Sequence, residues 1–318
     1  MLTGDSEKAG IRDGFGSGLV DAGKEQEQVV GLCCDLTGSV RMNLFAEEFP
    51  ERFVQIGVAE QNLASVASGM AAMGKIPFAA SYAMFNPGRN WEQIRTTICY
   101  NNVPVKIVGG HAGISVAQDG GTHQAIEDIA IMRVLPNMEV VVPCDKHQAY
   151  QATLAIARTS KPSYIRLEKQ KTLEVTTAET PFELGKAQIM WNADVKSADG
   201  VLIACGSLVA TALQVAQKCE KEGKKIIVVN MHTIKPLDTN VLDLLSKKVT
   251  AIITLEEHQR AGGLGSVVAE YVSEHACIPV HRLGVDDAFG ESGTAGELLQ
   301  KHGLDIDGVY KSVNTILK

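Results

Sequence analysis

The sequence predicts an α/β protein of two open, largely parallel-sheet, three-layer domains. Three observations point there. Short runs rich in valine and isoleucine recur, each too short for a helix and bounded by glycine, proline or a charge. Longer stretches with helical spacing lie between them, and a polar, weakly patterned stretch interrupts the alternation near the middle of the 318 residues. At roughly 100–200 residues per domain, two is also the count that length favours.

In chain order, Val29-Val30-Gly31-Leu32-Cys33-Cys34 is the first clear strand, followed by the apolar run Phe53-Val54-Gln55-Ile56-Gly57-Val58. Asn62 to Met73 has helical spacing. Pro104 to Val108 and Glu139 to Val142 read as strands buried on both faces of a parallel sheet, where continuous apolar runs replace alternation. Thr122 to Leu135 and Asp145 to Thr159 read as helices, the second opened by a capping box of Asp145 and Gln148. The polar stretch from Lys169 to Pro181 places a linker at 171–184, between a first domain at 1–170 and a second at 185–318. Beyond it, strands are expected at Gly200–Cys205, Lys225–Asn230, Ala251–Leu255 and Pro279–Gly284, with helices at Val209–Lys221, Asp238–Lys247 and Ser266–His275.

Hydrophobic residues at 45% and charged residues at 21% fit a soluble globular protein. The net charge of −7 is spread without a block of like charge, which argues against a nucleic-acid surface. No apolar stretch reaches the roughly 18 residues of a membrane helix. Met1 to Glu7 lacks a basic region followed by an apolar one, so a cytoplasmic protein without a membrane anchor is expected. The seven cysteines include no Cys-x-x-Cys pair and mostly sit in apolar runs, which predicts buried reduced thiols rather than disulfides or a zinc site.

Two glycine-rich stretches are decoys for nucleotide binding. Gly14-Phe15-Gly16-Ser17-Gly18 has the wrong spacing and follows no strand. Gly262-Gly263-Leu264-Gly265 follows a strand and opens a helix, so it could hold an anion or simply form a tight turn for close packing. Phosphate-loop, zinc-helix and nucleophile-elbow motifs are absent from the sequence. Chemistry must therefore come from residues scattered on loops.

In open α/β sheets ligands bind beyond the carboxyl ends of the strands. Three segments qualify: Asp35 to Ser39, Glu60-Gln61-Asn62, and the loop from His111 to His123. Alone, Glu60 could be a first-turn glutamate favoured by the helix dipole. The third segment places two histidines and an aspartate on a glycine-rich loop, where imidazoles can bond hydroxyls or relay protons; they could equally bond local backbone.

At these residues the chain resembles the transketolase family, over nearly its whole length. Gly57-Val58-Ala59-Glu60-Gln61-Asn62 is similar to that family's cofactor-activating segment, and Asp119-Gly120-Gly121-Thr122-His123-Gln124 to its substrate loop. Leu135-Pro136-Asn137-Met138 and Glu256-Glu257-His258 with Gly262-Gly263-Leu264-Gly265 keep the family's order. The resemblance implies a thiamine-diphosphate pyrimidine-binding domain followed by a transketolase carboxyl-terminal-like domain. It makes Glu60, His111 and His123 catalytic and gives Asp35, Glu60, Tyr82 and Phe85 to the cofactor. It assigns Ser39, His111, Asp119, His123 and Lys169 to sugar-phosphate substrates. Near the amino terminus, where the family carries a phosphate-binding arginine, this chain reads Ser6-Glu7-Lys8, and Lys169 stands for a second such arginine, keeping the charge but losing the bidentate fork.

The family holds its cofactor's diphosphate through Mg2+ bound at a Gly-Asp-Gly segment, and none occurs here. The resemblance thus implies a split enzyme. A separate amino-terminal subunit would carry thiamine diphosphate's diphosphate and Mg2+, with two copies of each chain and two sites. Deoxyxylulose-phosphate synthase-like and 2-oxoacid dehydrogenase beta-like subunits, and a noncatalytic scaffold of the same fold, remain open alternatives.

Overall fold

Val29–Cys33 is buried at all five positions, as a continuous apolar run between two layers of helices requires. It pairs in parallel with Phe53–Gln55 on one side and Ile76–Tyr82 on the other. The computed structural model, which describes residues 7–318, continues this sheet to seven strands. Lys106–Ala112, Ser163–Glu168 and Glu139–Val141 follow in parallel, and Thr233–Lys235 closes the edge antiparallel. That last strand comes from beyond the expected linker, so the second half of the chain covers an edge of the first sheet. A five-stranded sheet in the order Val280–Val285, Ile252–Gln259, Gly200–Ala204, Ile226–Asn230 and Gln188–Trp191 builds the rest, parallel except for the last. The α/β fold with two largely parallel sheets is the one expected.

The strands Ile76–Tyr82, Ser163–Glu168 and Gln188–Trp191, and the helices Ile11–Glu25, Ala295–Lys301 and Ile306–Ile316, were not marked by their sequence patterns. Within the polar stretch, Lys171–Leu173 pairs with Lys8–Gly10. The expected helix at 122–135 is reduced to Asp128–Arg133. Its first turns are lost because Ala125 bridges Ala112 of the neighbouring strand and its carbonyl accepts from Gly113 N. Asp145 caps Lys146–Ala157 by accepting from Gln148 N, while Gln148 Oε1 turns back to Cys144 N rather than closing a reciprocal box. Six cysteines are buried and Cys277 is exposed, all unpaired.

Both glycine runs have packing roles. Gly14 to Gly18 lies inside Ile11–Glu25, which packs along Lys146–Ala157. A Cβ at Gly14 would lie 1.9 Å from the Lys146 carbonyl oxygen, so the absent side chain is what lets the two backbones meet. Gly262 to Gly265 does cradle an anion, but an internal one. The buried Glu256 carboxylate accepts from Leu264 N and Gly265 N, each at 2.7 Å.

Gly14→Val should therefore destabilise the chain by about 1–3 kcal/mol or more through overpacking. A lowered denaturant midpoint measures this, and an unchanged midpoint would mean that the two helices separate freely.

Candidate active site

Phe53–Gln55, Val29–Cys33, Ile76–Tyr82 and Lys106–Ala112 are consecutive neighbours in the first sheet, all running the same way. Asp35, Glu60, Tyr82 and His111 lie at or just past their carboxyl ends. Parallel topology thus gathers onto one rim residues that are far apart in sequence.

Glu60 opens the helix Glu60–Ala72 and is 1% exposed. Its Oε1 accepts from Ser81 Oγ at 3.2 Å and its Oε2 from Arg89 Nη1 at 2.8 Å. Asn90 Nδ2 donates to its carbonyl at 2.9 Å. Tyr82 ends its strand, and its ring stacks on Phe85 with centroids 6.5 Å apart. His123 meets Phe85 edge-on at 5.4 Å, with its Nδ1 2.9 Å from Thr122 Oγ1.

His111 sits where the pairing of Lys106–Ala112 with Ser163–Glu168 slips between Gly109 and Ala112, at φ 54°. Such an irregularity re-aims a side chain. The ring stacks on Tyr82 at 3.9 Å and is nearly fully buried. Burial, helped by Arg12 and Lys169, pushes its pKa down to about 3, so it is neutral at physiological pH. Arg12 Nη1, 3.3 Å away, can only donate to Nε2, which assigns the proton to Nδ1. That Nδ1 is buried without a partner and remains an available donor.

The anionic and cationic groups of the rim follow. Asp35 is exposed at φ 57°, its backbone N donating to Gln55 Oε1 at 2.7 Å, while Gln55 Nε2 donates to Thr37 Oγ1 at 2.8 Å. Lys169 Nζ donates to Asp119 Oδ2 at 3.0 Å and to the Val116 carbonyl at 3.2 Å. Ser39 is half-buried, and its carbonyl accepts from Arg12 Nη1 at 2.9 Å. Ser6 lies outside the described residues. Arg12, in the first turn of Ile11–Glu25, places a guanidinium at the Ser39 loop.

The second sheet fixes the histidine loop. Glu257, at the end of Ile252–Gln259, accepts from Ser115 N. Gln124 Nε2 donates to Glu291 O at 2.9 Å, and Ser292 Oγ to Gln118 O at 3.0 Å. Beneath the loop, Arg166 is fully buried and bonds Asp128 Oδ2 at 2.8 Å, the Glu257 carbonyl at 2.8 Å and Glu168 Oε1 at 3.4 Å. Burial, together with the nearby Glu168, pushes the Glu257 carboxyl up to about 8. His258 is wholly buried and satisfied, Nδ1 on Gln259 O and Nε2 accepting from Ala130 N, so it serves the packing of this junction. Arg12, Ser81, Arg89 and Asn90 are not residues that sequence pattern singles out, and Glu257 entered only through the resemblance of Glu256-Glu257-His258. Each acts on a partner at least 21 positions away, and no local motif encodes such a contact.

Residues 7–174 match the transketolase pyrimidine-binding domain, and residues 190–309 the transketolase C-terminal domain. A protein of Methanocaldococcus jannaschii named as a transketolase C-terminal section is 41% identical over 97% of this chain and 96% of its own length. A 6-deoxy-6-sulfo-D-fructose transketolase subunit of Clostridium sp. is 34% identical over 98% of this chain and 95% of its own. Among solved structures, a split-gene transketolase in an inactive beta4 tetramer superposes with a TM-score of 0.89 and 42% identity, covering 97% of this chain and 98% of that one.

Glu257 gives this junction a pH signature. Its carboxyl is raised from 4.5 to about 8 in the folded chain, so the folded state keeps a proton that the unfolded state has lost between those values. Its contribution to stability is complete below pH 4.5 and is lost as pH rises through 8. Glu257→Gln should remove this downward slope between about pH 5 and 8. Denaturant midpoints of both proteins across that range check it, and parallel curves would show that Glu257 is ionised throughout.

Proposed function

This chain belongs to the transketolase family, and we propose that it is the carboxyl-terminal subunit of a split, thiamine-diphosphate-dependent transketolase. On this reading it transfers a two-carbon ketol unit from a ketose phosphate to an aldose phosphate once a separate amino-terminal subunit joins it. The observation that carries the reading is the buried Glu60 carboxylate at the carboxyl ends of the parallel strands, joined through Arg89 to the Phe85 ring that stacks on Tyr82. Split-enzyme organisation is supported by relatives of matching length, named as a C-terminal section, a subunit and a split-gene product. We divide the chain into a pyrimidine-binding domain at 1–170, a linker at 171–184 and a carboxyl-terminal domain at 185–318, and a cytoplasmic location belongs with this assignment.

The residues present fit the aminopyrimidine end of the cofactor. A buried carboxylate on the same rim as aromatic faces suits a flat ring whose nitrogen can carry a proton. Glu60 would bond that nitrogen and stabilise its protonated form by charge. Tyr82 and Phe85 would pack the ring, and Asp35 would lie close to the cofactor from the neighbouring loop. Thiamine diphosphate, when bound, supplies the nucleophile and electron sink for breaking the ketose carbon–carbon bond. We assign its diphosphate and Mg2+ to the partner's Gly-Asp-Gly segment; among the described residues no group of three or more His, Cys, Asp and Glu could hold a metal.

His111, as a neutral ring with a free Nδ1 proton, would donate to a sugar oxygen, and His123 and Asp119 would bond further hydroxyls. Ser39, Arg12 and Lys169 would receive the phosphate. Gln124 stands where a deoxyxylulose-phosphate synthase tends to have a second histidine. Here its amide is committed to the Ile114 and Glu291 carbonyls, which favours the transketolase reading. Two copies of each chain would give two sites. The rim bearing Asp35, Glu60 and Tyr82 would face the partner, and Val58 beside it is 71% exposed.

The lone chain should be silent with thiamine diphosphate, Mg2+ and sugar phosphates, and should gain ketol transfer when an amino-terminal subunit is added. Turnover unchanged by the partner would sink the split-enzyme reading. In the reconstituted enzyme Glu60→Gln should lose roughly 10²–10⁴-fold in kcat. Alanine at Arg12 or Lys169 should raise KM for phosphorylated acceptors by about 10-fold or more and leave unphosphorylated ones near their original values, reflecting a lost charged hydrogen bond. Equal effects on both acceptor classes would remove these cations from phosphate recognition.

A further inference from the structure

The segment that follows Ile76–Tyr82 is built around Glu60. Asn86 is buried and its Nδ2 donates to the Ala79 carbonyl at 2.9 Å and the Val108 carbonyl at 3.2 Å, pinning the segment to two strands of the sheet. Asn90, fully buried, donates from Nδ2 to Asn86 Oδ1 at 3.0 Å and to the Glu60 carbonyl at 2.9 Å. Arg89 stands between these two asparagines. Its position is therefore set by a locked backbone rather than by a mobile loop.

From that platform the Arg89 guanidinium reaches the Glu60 carboxylate at 2.8 Å and lies over the Phe85 ring, 4.9 Å from its centroid. Glu60 has no other ion-pair partner among the described residues, and a buried carboxylate without a counter-ion is strongly disfavoured. The other carboxylate oxygen is held by Ser81 Oγ. Both oxygens are thereby oriented, yet each keeps a further lone pair with which to accept a donor from a ligand. Half of the Arg89 side chain is exposed, on the side of the rim where Tyr82 and Phe85 lie.

We propose that Arg89 is a positioning residue for the reaction: through its fixed ion pair and its contact with Phe85, it holds the Glu60 carboxylate at the angle and in the charge state that the cofactor's aminopyrimidine requires. This rests on the reading of Glu60 given above. Lysine could supply the charge but neither the planar face for Phe85 nor the directed fork, so this position distinguishes arginine from any other cation.

The test uses Arg89→Ala and Arg89→Lys in the reconstituted two-subunit enzyme, and the same substitutions with Glu60→Gln in the chain alone. Arg89→Ala should lower kcat by about 10- to 100-fold, the scale of one charged hydrogen bond, while KM for the sugars moves less than about twofold. Added guanidinium ion at millimolar concentration should restore part of the rate to Arg89→Ala and none to Glu60→Gln, and Arg89→Lys should fall between wild type and alanine. In the lone chain, a double-mutant cycle on the denaturation midpoint should show that Arg89→Ala costs much less once Glu60 is glutamine. Wild-type kcat in Arg89→Ala, or a gain in rate and cofactor affinity, would overturn the proposal, the second outcome making Arg89 a competitor for the carboxylate. Additive effects in the cycle would overturn it whether or not the complex is active. A coupled cycle in a complex without any ketol transfer would retire the transketolase reading and leave the Arg89–Glu60 pairing standing.

Discussion

One buried guanidinium ties the two halves of the chain together. Arg166 lies between Asp128, Glu168 and the Glu257 carbonyl, at 1% side-chain exposure, where an unpaired charge would be prohibitive. Each of its partners carries the constraint outward. Asp128 opens the helix Asp128–Arg133, and Glu168 accepts from Ser207 N at the start of Leu208–Lys221 in the second sheet's layer. Glu257 accepts from Ser115 N in the histidine loop. Burial is the main reason Glu257 retains a proton so readily, and the neighbouring Glu168 carboxylate adds to it. The histidine loop is thus positioned by residues that never approach the rim.

That arrangement gives the second half of the chain a task in the site without supplying it a single rim residue. His111 is set by a slip in the first sheet, but the loop that follows passes through positive φ at Gly113, Ala117 and Gly120. Ala117, as a non-glycine residue at φ 70°, is held there only because its surroundings over-determine it. Those surroundings come largely from the second half: Glu257 on Ser115, Glu291 on Gln124, and Ser292 on Gln118. The strain and its support belong to the same loop, which is where a substrate-binding segment would need rigidity.

The sequence made the fold legible wherever burial on both faces wrote a continuous apolar run, as at Val29–Cys33 or Ile226–Asn230. It was silent where tertiary contact overrode local pattern. Ile11–Glu25 hides four glycines, which weaken a helical pattern, because its backbone must touch Lys146–Ala157. Ile76–Tyr82 begins with a proline at its second position and includes alanines and a serine, giving no strand signature. Of the rim, Asp35, Glu60, Tyr82 and the two loop histidines were legible through segment resemblance and their place after apolar runs. Arg12 and Arg89 were not. Both are surface-patterned arginines whose significance lies wholly in what the fold sets beside them.

The internal use of the glycine turn at Gly262–Gly265 bears on how this chain can recognise an anion. A helix amino end with free backbone donors is the usual backbone solution for binding phosphate. Here the donors of Leu264 and Gly265 are already committed to Glu256, and a Cβ at Gly263 would lie 2.0 Å from that carboxylate. No external anion can enter without expelling a buried glutamate. This glycine turn is therefore closed to an external anion, and the proposed phosphate recognition falls to side chains of the rim, Arg12 near Ser39 and His111, with Lys169 on the Asp119 side of the loop. These cations differ in kind, one planar and directional, the other a compact point charge already shared with Asp119. On the proposed function, discrimination among anionic sugars would be a matter of how a terminal group divides itself between a fork and a point, a property that would change with one or two substitutions while the fold and the buried Glu60 stay as they are.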